Sequence, residues 1–134
     1  MRKLAPLTVT LILFLNGFAA AAPGDTGATI ATCLGRFSAE VEHATLLGQD
    51  RAEIAAGREV FLELYETVGS RALLALRIRA KTEQARLLEL AWFGTNARHA
   101  DLALRKANAQ ISTCTGLLLV QPEAGPPPQE RMGL

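Results

Sequence analysis

The chain has only two cysteines, Cys33 and Cys114, and they bracket nearly everything in it with the pattern of a folded protein. A leader-like segment precedes them and a proline-rich tail follows. If the two sulfurs bond, they close a loop of about 80 residues and oblige the first and last foldable segments to meet. Few other features of the sequence restrict its fold as strongly.

Whether they bond depends on where the protein resides. Arg2 and Lys3 are followed by an apolar run, Leu7 to Leu15, and then by the small residues Ala19 to Ala22 before Pro23. This is the three-part pattern of a secretory signal, so residues 1–22 are expected to be cleaved on export to the periplasm or the medium. Pro6, Asn16 and Gly17 interrupt the apolar stretch and argue against its retention as an anchor. Left uncleaved, it would be the chain's one link to a membrane. In an oxidising compartment the simplest fate of two cysteines is a mutual disulfide. A rival is lipid attachment at Cys33, because Ile30-Ala-Thr-Cys33 resembles a lipobox. Thr32 is large for that motif, and Asp25 separates Cys33 from the apolar core.

Alanine and leucine dominate a hydrophobic content of 49%, while aromatics reach only 5%. That balance favours helices over sheets, and apolar residues spaced three and four apart mark four of them. The first, over about 27–47, carries Ile30, Cys33, Leu34, Phe37, Val41 and Ala44, with residues 23–26 as a linker and Gly48 as a stop. The second follows Asp50, where Glu53 completes a capping box, and carries Ile54, Phe61, Leu64, Tyr65 and Val68. Gly57 inside it suggests the close approach of a neighbouring backbone.

Ser70 caps the third helix, over about 71–93, which is the most apolar: Leu73, Leu74, Ile78, Ala85, Leu87, Leu88, Ala91 and Trp92. The fourth carries Ala97, Ala100, Leu104, Ala107, Ile111 and Cys114, after which Leu117 to Val120 has no assigned conformation. Four helices with short breaks predict an all-α, antiparallel up-down four-helix bundle over residues 23–120. In that topology Cys33 and Cys114 fall on inward faces at one end, so topology and compartment both point to a Cys33–Cys114 bridge. The charges suggest that the second and third helices pair, with Glu63 near Arg77 and Glu59 near Lys81. The tail 121–134, rich in proline and poor in apolar residues, is expected to be disordered.

Little chemistry is inscribed in the sequence. The formal charge is +1, and −1 once Arg2 and Lys3 are removed, so nothing in it favours nucleic acid. A covalent haem needs Cys-x-x-Cys-His, which is absent, and a ligating methionine outside the leader would have to be Met132 in the tail. Glu40-Val-Glu-His43 has the spacing of a di-iron ligand pair but no second copy. No serine elbow or phosphate loop occurs. The expectation is therefore a protein with no enzymatic activity and no cofactor.

Two surfaces remain. Leu76, Leu90, Trp92 and Phe93 are apolar residues beyond what the third helix needs for a bundle core, and they suggest an interface for a protein partner or a second copy. His43 and His99 fall at the end opposite the cysteines, near Asp50, Glu53 and Asp101, where a metal or small-ligand carrier site is the alternative.

Overall fold

The computed structural model describes residues 23–119. The leader at 1–22 and the tail at 121–134 lie outside the described residues. Four helices follow one another: α1 (Pro23–Leu46), α2 (Ala52–Val68), α3 (Arg71–Phe93) and α4 (Ala97–Leu119). They form an antiparallel up-down bundle, and Cys33 and Cys114 are joined by a disulfide with their Cα atoms 5.5 Å apart.

The breaks have local causes. Gly48 adopts a left-handed φ of 64° that closes α1, while the amides of Gly48 and Gln49 donate to Thr45 and Ala44. The Ser70 hydroxyl accepts from the Leu73 amide and caps α3. Gly94 ends α3, its N–H donating to the Leu90 carbonyl. Asn96 opens α4 by accepting from the His99 amide.

Three boundaries differ from the sequence reading. Residues 23–26 belong to α1 and not to a linker. The residue flanking α2 is Arg51, which makes no side-chain capping bond, so the Asp50 capping box does not form. Finally, α4 continues through Gly116 to Leu119, taking in most of the run left unassigned.

The helices do not share a core equally, because α1 occupies the centre. Between Ile30 and Glu40 every residue except Thr32 and Arg36 is buried. One side, formed by Ile30, Cys33, Leu34 and Phe37, joins Phe61 of α2 and Ile111 and Cys114 of α4 in the main apolar cluster. The rings of Phe37 and Phe61 stack with centroids 5.5 Å apart. Gly57 faces this cluster, and a methyl group there would come within 2.7 Å of the Phe37 ring, so an aromatic side chain and not a backbone requires the glycine.

The other side of α1 is made of small residues. Gly27, Ala31, Gly35 and Ala39 recur every four residues and form a shallow groove into which α3 settles. A methyl group on Gly35 would overlap the Arg77 carbonyl oxygen and lie 2.9 Å from the Lys81 nitrogen. This α1–α3 contact is the largest in the fold. Gly27 faces Leu73, Gly35 faces the turn from Arg77 to Lys81, and Glu40 meets Gln84, so the two helices run parallel.

A buried polar chain ties the four elements together. Glu40, 2% exposed, accepts from Gln84 Nε2 at 2.7 Å and from the Arg51 guanidinium at 2.8 Å. Gln84, wholly buried on α3, donates with the same nitrogen to the Ala107 carbonyl of α4 at 3.1 Å. Arg51 stands at the entry to α2, so one network touches every helix. Breaking any of these bonds would strand a further buried polar atom, so the set favours one register over its neighbours, although Gln84 Oε1 itself has no partner among the described residues.

The expected charge pairing of α2 with α3 is not what forms. Lys81 pairs with Glu42 of α1 at 2.6 Å, and Glu59 pairs with Arg58 on its own helix. Arg77 lies over the Tyr65 ring at 5.4 Å instead of reaching Glu63. The reason is geometric: α1 lies between most of α2 and α3, so charges on those two helices find nearer partners.

Candidate functional site

The seating of α3 in the α1 groove decides which of its residues face out. Only Ala80, Gln84 and Leu88 of α3 are buried. Leu74, Ile78, Ala85 and Trp92 are spaced by four, seven and seven, which places them along one line of a helix. All four are exposed, Ile78 by 56%. Phe93 at the end of the line is 66% exposed, and Leu46 of α1 stands beside it.

Two hollows follow this line. One, of about 640 Å³, runs along α3 and is lined by Ile78, Lys81, Thr82, Ala85, Arg86 and Glu89. The other, of about 340 Å³, lies between the ends of α1 and α3, among Ala39, Glu42, His43, Leu46, Ala85, Glu89 and Phe93. They share Ala85 and Glu89, so together they make one furrow with an alanine at its waist. The charges along it are mixed: Lys81 is engaged with Glu42, whereas Arg86 and Glu89 have no ion-pair partner among the described residues.

His43 supports the far end. Its ring centroid lies 5.7 Å from that of Trp92 and 6.4 Å from that of Phe93, so the two aromatic rings are backed by a third. Its Nε2 is shielded from solvent and has no hydrogen-bond partner among the described residues. His99 is elsewhere, in a separate cleft with Leu87, Leu90, Leu102, Ala103 and Lys106 on the α3–α4 side. Among the described residues, no three of histidine, cysteine, aspartate and glutamate converge as a metal would require.

The four interface residues expected from sequence are thus divided. Phe93 lines the furrow's end and Trp92 stands beside it against His43, Leu90 opens toward the His99 cleft, and Leu76 is half-buried. Leu74, Ile78 and Ala85, expected in the core, are the residues that continue the outward line. Two apolar stripes share α3, and periodicity alone does not say which faces inward. The informative signal was the every-fourth-residue run of small side chains on α1, which needs a small residue, Ala80, opposite it.

The α3–α4 seam is polar at its edge. Glu83 accepts from Gln110 at 3.0 Å and pairs with Lys106 at 3.3 Å. These hydrogen bonds, helped by the nearby charges of Lys106 and Arg36, hold its carboxyl below the ordinary value of 4.5 against the opposing effect of burial.

The inward residues of α4 are Ala103, Ala107, Ile111 and Cys114. Ala97 and Leu104, expected inside, are exposed, because α4 turns Ala103 toward Leu87 and Leu90 of α3.

No helix among the described residues is long and apolar enough to cross a membrane. Comparison of the chain with protein-family models, with curated proteins and with solved structures found no match.

Proposed function

We propose that this is a small exported protein, periplasmic or secreted, with a non-enzymatic accessory role exercised by protein binding through the outward side of α3. The observation that carries the reading is the exposed line Leu74–Ile78–Ala85–Trp92–Phe93 on a helix whose other side is locked into the core. A contiguous run of large apolar side chains left in water on a rigid element marks an interaction surface, whereas single exposed ones do not. Covering one fully is worth about 1.5–3 kcal/mol. The signal-like leader supports export, and the Cys33–Cys114 bridge is suited to an oxidising compartment.

The carrier alternative is weaker, since His43 and His99 line different clefts. Metal titration of the purified protein bears on it directly: uptake lost in both His43→Ala and His99→Ala would revive it. The binding reading is tested by a photo-activated cross-linking side chain placed at Ile78, with the same group at the exposed Val60 of α2 as control. In native envelope the Ile78 probe should yield discrete adducts that the Val60 probe does not. Equal adduct patterns, or none, would overturn the reading.

A further inference from the structure

We infer that the occupant of the α3 furrow is a second copy of this chain, crossing antiparallel with Ala85 at the twofold axis; this rests on the reading of α3 as a binding surface. The sequence of the furrow is complementary to itself about that residue. Lys81 lies four residues before Ala85 and Glu89 four after it, so an antiparallel copy sets each lysine opposite the partner's Glu89. Ile78 lies seven before and Trp92 seven after, so each isoleucine meets the partner's Trp92. A twofold contact repeats every pairing, and one stretch of helix thereby supplies two ion pairs and two apolar pairs.

The geometry agrees with this arrangement. The two hollows meet at Ala85, where the small side chain lets another helix approach closely. Glu89 has no ion-pair partner among the described residues, and Lys81 holds Glu42 in an exposed pair that is exchanged at little cost. The line from Leu74 to Phe93 extends about 28 Å at the helical rise. An interface of that length along one helix lies at the small end of the range for specific complexes, so a dissociation constant of about micromolar is expected.

Three measurements on the purified exported protein, each variant first checked for native helix content, decide the matter. Sedimentation should show a concentration-dependent monomer–dimer equilibrium, and Ile78→Glu should weaken it by about a hundredfold. Glu89→Lys should weaken it by about tenfold, and adding Lys81→Glu should restore most of the loss. Ala85→Cys, on its own symmetry axis, should form an intermolecular disulfide on mild oxidation, whereas Leu64→Cys on α2 should not. A monomer at about millimolar concentration would overturn the proposal, as would a dimer indifferent to Ile78→Glu and unlinked by Ala85→Cys. Adducts from the Ile78 probe that contain only a different protein would also overturn it while leaving α3 as the binding surface. Absence of any adduct would remove both.

Discussion

Helices α1 and α3 have nearly the same length, 24 and 23 residues, and run side by side. Their surroundings could hardly differ more. Helix α1 is covered by α2 on one side, α3 on another and α4 on a third, and its central eleven residues include only two that are not buried. Helix α3 carries more large apolar side chains but buries three residues and leaves Leu74, Ile78, Leu90, Trp92 and Phe93 exposed. The contrast teaches that the centre of a small bundle goes to the helix others can approach from every side. Glycine, alanine and serine on α1 allow that approach. Leucines on α3 contribute apolar area but hold a neighbour at a distance.

That contrast can be broken at several strengths. The largest effect is expected from the bridge that clamps α4 to α1. Replacing Cys33 and Cys114 by alanine should cost about 4 kcal/mol, the loop-closure value for the separation of 81 residues, and is read by denaturant unfolding with the slope compared as well as the midpoint. A loss below about 1 kcal/mol would mean that packing around α1 suffices without it.

Next comes the α1 groove. Gly35→Leu should destabilise by about 3 kcal/mol or more, because its side chain would meet the Arg77 and Lys81 backbone, which cannot turn aside. Gly116 on α4 has nothing near its missing side chain, so Gly116→Ala should be neutral or stabilise by up to about 1 kcal/mol. Similar outcomes at the two positions would refute the close α1–α3 approach.

The polar chain should rank third. Gln84→Ala leaves a buried Glu40 oxygen without its donor and removes the tie to the Ala107 carbonyl of α4, at a cost of about 2–3 kcal/mol. The pair Glu40→Met with Gln84→Leu should cost less than the sum of the single changes, since neither buried partner is then stranded. Additive losses would show that the two do not act as a unit.

The outward side of α3 should behave in the opposite way. Ile78→Ser should alter the monomer's stability by no more than about 0.5 kcal/mol, as at an exposed position. A loss as large as that at Gly35 would place Ile78 inside a core.

The smallest effect concerns Glu83. Its carboxyl is held below its unfolded value by Gln110 and Lys106, so the folded protein binds a proton less readily than the unfolded chain. The stability it contributes is therefore present above the ordinary value of 4.5 and lost as pH falls below it through the depressed folded value. Glu83→Gln should flatten the acid limb of the stability profile slightly, lower stability slightly at neutral pH and leave the slope there unchanged. A change in slope near neutrality would contradict the assignment.

Much of the scaffold is legible in the sequence. Short-range chemistry places the helix ends: Gly48 in its left-handed turn, Ser70 as a cap and Gly94 as a stop are all readable one turn at a time. The bridge was readable because two constraints of different kinds, the signal-like pattern of the leader and the up-down topology, led to the same two residues. The α3 face was legible only at its end, in Trp92 and Phe93. Leu74 and Ile78 have the same spacing whether they point in or out, and Glu40 and Gln84 are 44 positions apart with no local pattern to join them.

By itself, then, the sequence determined four helices, their up-down order and the residues joined by the disulfide, because periodicity, capping and cysteine pairing are carried by residue type and spacing. Tertiary structure alone decided that α1 is central, that α3 lies parallel to it in a groove of small side chains, and that one edge of α3 remains open. Those outcomes depend on how closely two backbones approach and which polar groups meet once they do, and both are properties of packed surfaces that no single stretch of chain contains.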